Sequence, residues 1–219
     1  MNSLALKGSA VLLGGSGLVV GGYYGLKALD YQGPISRTVD NIRKILEDQK
    51  YTLLTSGNRE IQTIIQKYQE SIRTNNNLKL GDFTGNKVGE KTSENILLEQ
   101  CGLILKNDYT DSNNLEKAKR WCVVPTTASA LLTARQITVL STDDGGTNKK
   151  EWTQKISEYN RDKGKPRISG LNLENPSPNT EDQKIKEIKT KCKEIGGKYN
   201  HEDKFEENLN LLKLWCTNN

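Results

Sequence analysis

The chain has 219 residues, 34% of them hydrophobic, with a mean hydropathy of −0.70, so it holds one medium domain or two small ones around a thin core. Its formal charge of +5 is interleaved rather than gathered, as in KNDYTD, NLEKAKR and NHEDKFEEN. With only two Phe besides, this excludes the basic stripe and stacking aromatics of a nucleic-acid binder and favours solvated helix faces.

From Gly8 to Leu26 the chain reads GSAVLLGGSGLVVGGYYGL, a run without charge between Lys7 and Lys27. At 1.5 Å per residue it spans about 28 Å, close to the hydrocarbon thickness of a bilayer. Gly17, Gly21 and Gly25 recur every fourth residue, the small-residue spacing that lets membrane helices pack closely. Tyr23 and Tyr24 lie near one end, as interfacial aromatics do. Residues 1–29 therefore read as an uncleaved hydrophobic anchor that meets the lipid bilayer through residues 8–26. A cleaved signal fits less well, because no A-x-A site follows the apolar run. The glycines do not make a dinucleotide loop either, since Val20 stands where the third glycine belongs.

Beyond the anchor the apolar residues repeat at helical spacing. A helix near 38–49 precedes an extended TLL at 52–54, and Ile61, Ile64, Ile65, Tyr68 and Ile72 then share one helix face. A third helix holds Cys101, and a fourth ends at Trp121 and Cys122. The same order returns: a helix near 125–134, TVL at 138–140, then Trp152, Ile156 and Tyr159 on one face. Asn148, three residues before Glu151, reads as a capping-box start. ENPSPN at 174–179 is a loop, since prolines break helices. Ile185, Ile188, Cys192 and Ile195 form the next stripe, and Leu209, Leu212 and Trp215 the last.

Fixed offsets connect the two series. Tyr68 matches Tyr159 and Cys101 matches Cys192 at 91 positions, with Ile61 meeting Trp152. Trp121 matches Trp215 and Cys122 matches Cys216 at 94, and TLL meets TVL at 86. Apolar matches arise easily by chance, but two cysteines, a tryptophan and a tyrosine in register do not. The reading is a tandem duplication of small helical units, 36–122 and 124–217, with Tyr68, Trp121, Trp152, Tyr159 and Trp215 as core aromatics. Trp121 and Trp215 would each lid the core beside a cysteine; the competing reading is an exposed binding hot spot.

Each unit has one cysteine inside its third helix and one at the end of its fourth. An antiparallel hairpin would bring Cys101 to Cys122 and Cys192 to Cys216, closing loops worth roughly 3 kcal/mol each. Four buried free thiols are the alternative. A zinc site lacks the usual close-spaced ligand pairs. If the bridges form, the bulk of the chain lies outside the cytoplasm. By the positive-inside rule, Lys27, Arg37, Arg43 and Lys44 after the anchor argue the other way.

No reactive constellation emerges. His201 is the only histidine and sits beside Glu202 and Asp203 in what reads as a solvated loop. The sequence has no G-x-S-x-G, no phosphate loop and no H-E-x-x-H. Asp143 and Asp144 do not follow calcium-loop spacing, and adjacent Glu206 and Glu207 point to different helix faces. The expectation is no catalytic, cofactor-binding or metal-binding residue, and no cofactor.

The glycine-rich N-terminal segment, the lone Cys, and then KRWCVVP at 119–125 together resemble the large paralogous families of uncharacterised proteins in haemotropic mycoplasmas. The resemblance covers essentially the whole chain. It implies a membrane-anchored protein displayed at the cell surface, and it implies no activity. The second ending, LKLWC, departs from the K-R form and adds no independent support. The combined expectation is an all-α protein, with at most one very short strand per unit, anchored by a single transmembrane helix and largely extracellular. Its function would be interaction or antigenic display toward a host or membrane-protein partner. The alternative is an accessory or solute-binding subunit of a membrane complex, facing either side.

Overall fold

Short polar residues set most of the helix starts. α1 (Ile42–Asp48) is capped by Asn41, α3 (Ser93–Ile104) by Thr92, α4 (Ser112–Trp121) by Asp111 and α5 (Ala128–Ala134) by Thr127. Each cap accepts a hydrogen bond from a backbone N–H of the first turn, satisfying a donor the helix itself leaves open. α7 (Glu181–Gly196) opens with a full capping box between Thr180 and Gln183. α2 (Ile61–Thr74), α6 (Lys149–Arg161) and α8 (Phe205–Trp215) have no side-chain cap.

Asn148 is a correction. It stands at the start of α6, but in the left-handed conformation, with φ of 62°. Its side chain accepts from the Ser141 backbone N–H at 3.3 Å instead of capping the helix. The pairing with Ser141, seven residues upstream, replaces the one with Glu151.

These helices come from a computed structural model that describes residues 40–144, 147–174 and 180–218. The anchor at 1–29, with Gly17, Gly21, Gly25 and the bilayer contact through 8–26, lies outside the described residues, as does most of the ENPSPN segment. Among the described residues there are eight α-helices and no sheet, and no helix is long and apolar enough to cross a membrane.

The helices pair in the same way in each half. In residues 40–122, α1 packs on α4, α2 on α3 and α3 on α4; in residues 124–218, α5 packs on α8, α6 on α7 and α7 on α8. At Gly196 the chains approach so closely that a Cβ there would lie 2.4 Å from Ser129 Oγ. Backbone bridges also recur. Leu53 bridges Val123, and Val139 bridges Thr217. Leu54 N–H donates to Cys122 C=O at 3.0 Å, and Leu140 N–H to Cys216 C=O at 2.8 Å. The brief extended pieces of TLL and TVL are thus single antiparallel bridges that tie each helix pair to its cysteine corner.

The helix faces identified by periodicity are the buried ones. Ile61, Ile64, Tyr68, Leu97 and Trp121 on one side, and Trp152, Tyr159, Ile188, Leu212 and Trp215 on the other, are almost fully enclosed. Each buried aliphatic contributes roughly 1.5–3 kcal/mol by leaving water. The buried residues of both halves form one connected cluster, and Val39–Asn219 is a single compact unit.

The solvated-face reading needs one amendment. Lys155, Lys184 and Lys189 are only 7% exposed. Lys155 pairs with Glu158 at 3.2 Å, while Lys189 Nζ donates to the Asp143 carbonyl at 2.7 Å and Lys184 Nζ to that of Glu174 at 3.4 Å. Their stems pack along apolar surface while their ammonium groups find oxygen.

Candidate functional site

The tryptophan–cysteine corners carry the densest chemistry. Cys101 is bridged to Cys122 and Cys192 to Cys216, with Cα atoms 5.3 and 5.8 Å apart. All four are buried, and no free cysteine is present among the described residues. Each bridge joins the interior of one helix to the end of the next, because the two run back alongside each other.

Trp121 and Trp215 belong to the core, as the sequence suggested, and are no exposed hot spot: they are 0% and 1% exposed. Their indole N–H groups reach across the fold to backbone carbonyls, Leu78 at 3.2 Å and Pro166 at 2.8 Å. Each ring meets a tyrosine edge-on: Tyr68 at 5.3 Å and Tyr159 at 4.8 Å between centroids. The Tyr68 hydroxyl accepts from the Leu80 N–H at 2.9 Å and donates to the Phe83 carbonyl at 2.8 Å. The Tyr159 hydroxyl bonds the Ile168 backbone and donates to Leu171 at 3.4 Å. Burial pushes both phenols up, which suits fixed neutral donors and not acid–base work. Trp152 donates from its indole to the Ser141 carbonyl at 3.1 Å.

These clamps were not legible from the matched residues. The loop residues they grip, Leu78, Leu80 and Phe83, correspond to Pro166, Ile168 and Leu171 at an offset of 88 positions. The available signal was an apolar pattern at i, i+2 and i+5 in both loops, too generic to stand out.

A second cluster lies at the seam between the halves. Lys119 Nζ pairs with Glu206 at 2.8 Å, and Arg120 pairs with Asp203 at 3.0 Å while donating to the His201 carbonyl at 3.4 Å. Tyr51 donates to Glu206 at 3.3 Å, and its hydroxyl is held far above the usual phenol range by burial and by the Glu206 charge. Arg135 lies over the Tyr51 ring at 5.7 Å and donates to the Gln49 carbonyl at 2.9 Å. The Lys–Arg of KRWC is thus the part that holds the second half. At the corresponding positions the second half has Lys213 and Leu214, and Leu214 packs against the core.

Asn200 latches the seam. It is 2% exposed, accepts from the Thr126 N–H at 2.8 Å and donates to the Lys119 carbonyl at 2.7 Å. Replacing it with Leu leaves both part-buried groups without this partner. Urea unfolding of N200L is expected to show a loss of about 2 kcal/mol, since each orphaned group costs roughly 1–3 kcal/mol.

Beside the latch, a solvent-open groove of about 890 Å³ runs between α2 and the 198–203 turn, with Thr63, Lys67 and Ser71 on one wall and Tyr199 and His201 on the other. Its charges are largely spoken for: Lys198 pairs with Glu202 at 2.9 Å, Lys67 with Glu70 at 2.8 Å, and Asp203 with Arg120. His201 lies in the turn between α7 and α8, as the sequence suggested, but it is half-buried rather than fully solvated. Its ring stacks on Tyr199 at 5.5 Å, and its Nδ1 is buried without a hydrogen-bond partner. Burial lowers its pKa, Glu202 opposes that, and Lys67 and Arg120 add to it.

Among the described residues, no cluster of three or more His, Cys, Asp or Glu is placed to hold a metal ion. Glu206 is engaged at the seam, and the Asp143 carboxylate accepts from the Ser141 hydroxyl at 3.3 Å. No protein-family model, curated protein or solved structure matches the chain.

Proposed function

We propose that this chain is a membrane-anchored, surface-exposed interaction or antigenic protein that performs no catalysis. The observation that carries the reading is the pair of buried disulfides, one in each half, which use every cysteine in the sequence. Disulfides persist in oxidising surroundings and are rare where glutathione keeps thiols reduced. The uncharged 8–26 run supplies the anchor, and the cross-linked helical unit suits exposure to a harsh medium. The chemistry of the described core points the same way: Tyr68, Tyr159, Trp121 and Trp215 hold loops, and Lys119 and Arg120 pair across the seam.

Protease shaving of intact cells tests the assignment. Digestion of the region after Leu29, with all four cysteines refusing alkylation under denaturing, non-reducing conditions, is the expected result. A protected region, or four free thiols in freshly isolated protein, would place the bulk of the chain in the cytoplasm and overturn the surface reading.

A further inference from the structure

We propose that His201 makes the seam between the two halves acid-sensitive, holding it closed while its ring is neutral and loosening it when the ring takes a second proton. The geometry places the ring so that its Nδ1 is enclosed with no acceptor beside it. Its own carbonyl is gripped by Arg120 from the first half, and its neighbour Asn200 is the latch. Tyr199 covers one face of the ring. A neutral imidazole needs only one N–H, and with Nδ1 enclosed and unpartnered, that hydrogen belongs on Nε2. The cation must put its extra hydrogen on Nδ1, where no acceptor waits.

The surrounding charges do not relieve the cation. Glu60, just before α2, and Lys67 within it face the groove, α4 presents Arg120, and the turn itself carries Lys198, Glu202 and Asp203. Lys67 and Arg120 repel a second positive charge. Glu202 attracts it, but its oxygens already accept from Lys198 Nζ and the Tyr199 N–H. Asp203 is bound to Arg120. The simplest relief is for the 198–203 turn to swing toward water, which breaks the Arg120 contact and the Asn200 latch together.

The direction of the pH effect follows from the lowered pKa. Between the ordinary histidine value, about 6.5, and the lower value in the closed seam, the open form binds more protons. Closure is therefore complete above the ordinary value and is lost as pH falls through that window. Histidine is suited to this role because its unperturbed titration lies near neutrality.

Because the sequence holds one histidine, its ring resonances in the full-length protein report this residue alone. The ring is expected to titrate below 6.5. One pH unit below its midpoint, the Thr126 and Asn200 amides should exchange severalfold faster than one unit above it, up to a limit of about tenfold, after correction for the intrinsic rate. H201Q should keep both amides protected at both pH values, and H201K should expose them at both. A midpoint at or above 6.5, equal protection on the two sides of the midpoint, or an acid-accelerated exchange that survives in H201Q would each overturn the proposal. The last outcome would assign the effect to carboxylates of the seam.

Discussion

Replacing Trp121 with Ala is expected to lower stability by about 3–5 kcal/mol, the usual range for a large aromatic removed from a core. Three losses coincide at this position. The ring leaves a void against Tyr68, the Leu78 carbonyl loses its donor, and the loop held by Tyr68 at Leu80 and Phe83 loses the wall behind it. Domains of this kind have only about 5–15 kcal/mol in total, so W121A falls near the edge of folding. Trp121→Phe keeps the experiment readable: it retains most of the ring and orphans only the carbonyl, at about 1–3 kcal/mol. Trp215 is expected to behave alike through Pro166. Urea unfolding followed by circular dichroism measures both. A loss below about 1 kcal/mol for Trp121→Ala would mean that the ring covers the core without supporting it.

Removing either disulfide is expected to cost about 3 kcal/mol. The bridges close separations of 21 and 24 residues, and in the chain-entropy account that difference changes the stabilisation by only about 0.1 kcal/mol. The paired variants Cys101→Ala with Cys122→Ala, and Cys192→Ala with Cys216→Ala, should therefore shift the unfolding midpoint nearly equally. The bridges lie in different halves, so their effects should add, and the fourfold variant should lose about 6 kcal/mol. Because all four cysteines are buried, dithiothreitol should leave the native protein unmodified and act once urea opens it. Mass-shift alkylation across a urea series checks this. Rapid reduction without denaturant would show that the corners open locally. A marked inequality between the two pairs would show that strain or residual structure, rather than loop closure, governs one of them.

Much of the helical architecture was legible because helix formation and burial obey local rules. Apolar spacing of three and four residues marked the faces of α2, α6, α7 and α8, and those faces are enclosed. The cysteine pairs suggested by the recurring spacing are the pairs that are joined. Helix-start rules also misled where a partner outside the helix won. Asn148 looked like a cap for α6, but Ser141 holds its side chain and its backbone is left-handed.

The candidate site was far less visible. Trp121 and Trp215 announced themselves by rarity, yet their purpose depends on carbonyls 43 and 49 residues away. His201 looked solvated because its neighbours are charged, and only the approach of α2 and the stacked Tyr199 ring half-bury it.

The sequence by itself determined the helices, their inward faces, the recurring order of aromatics and cysteines, and an uncharged N-terminal run of bilayer length. Each of these is a property of spacing along the chain. Only the tertiary structure decided that the Lys–Arg before the first Trp–Cys clasps Asp203 and Glu206, that Asn200 latches the halves, and that three lysines are buried. The clasp and the latch depend on surfaces that meet across 74 to 87 residues of chain, where no periodicity reaches. A polar side chain's role is fixed by the partner it finds after packing, and the partner is not encoded in its neighbours.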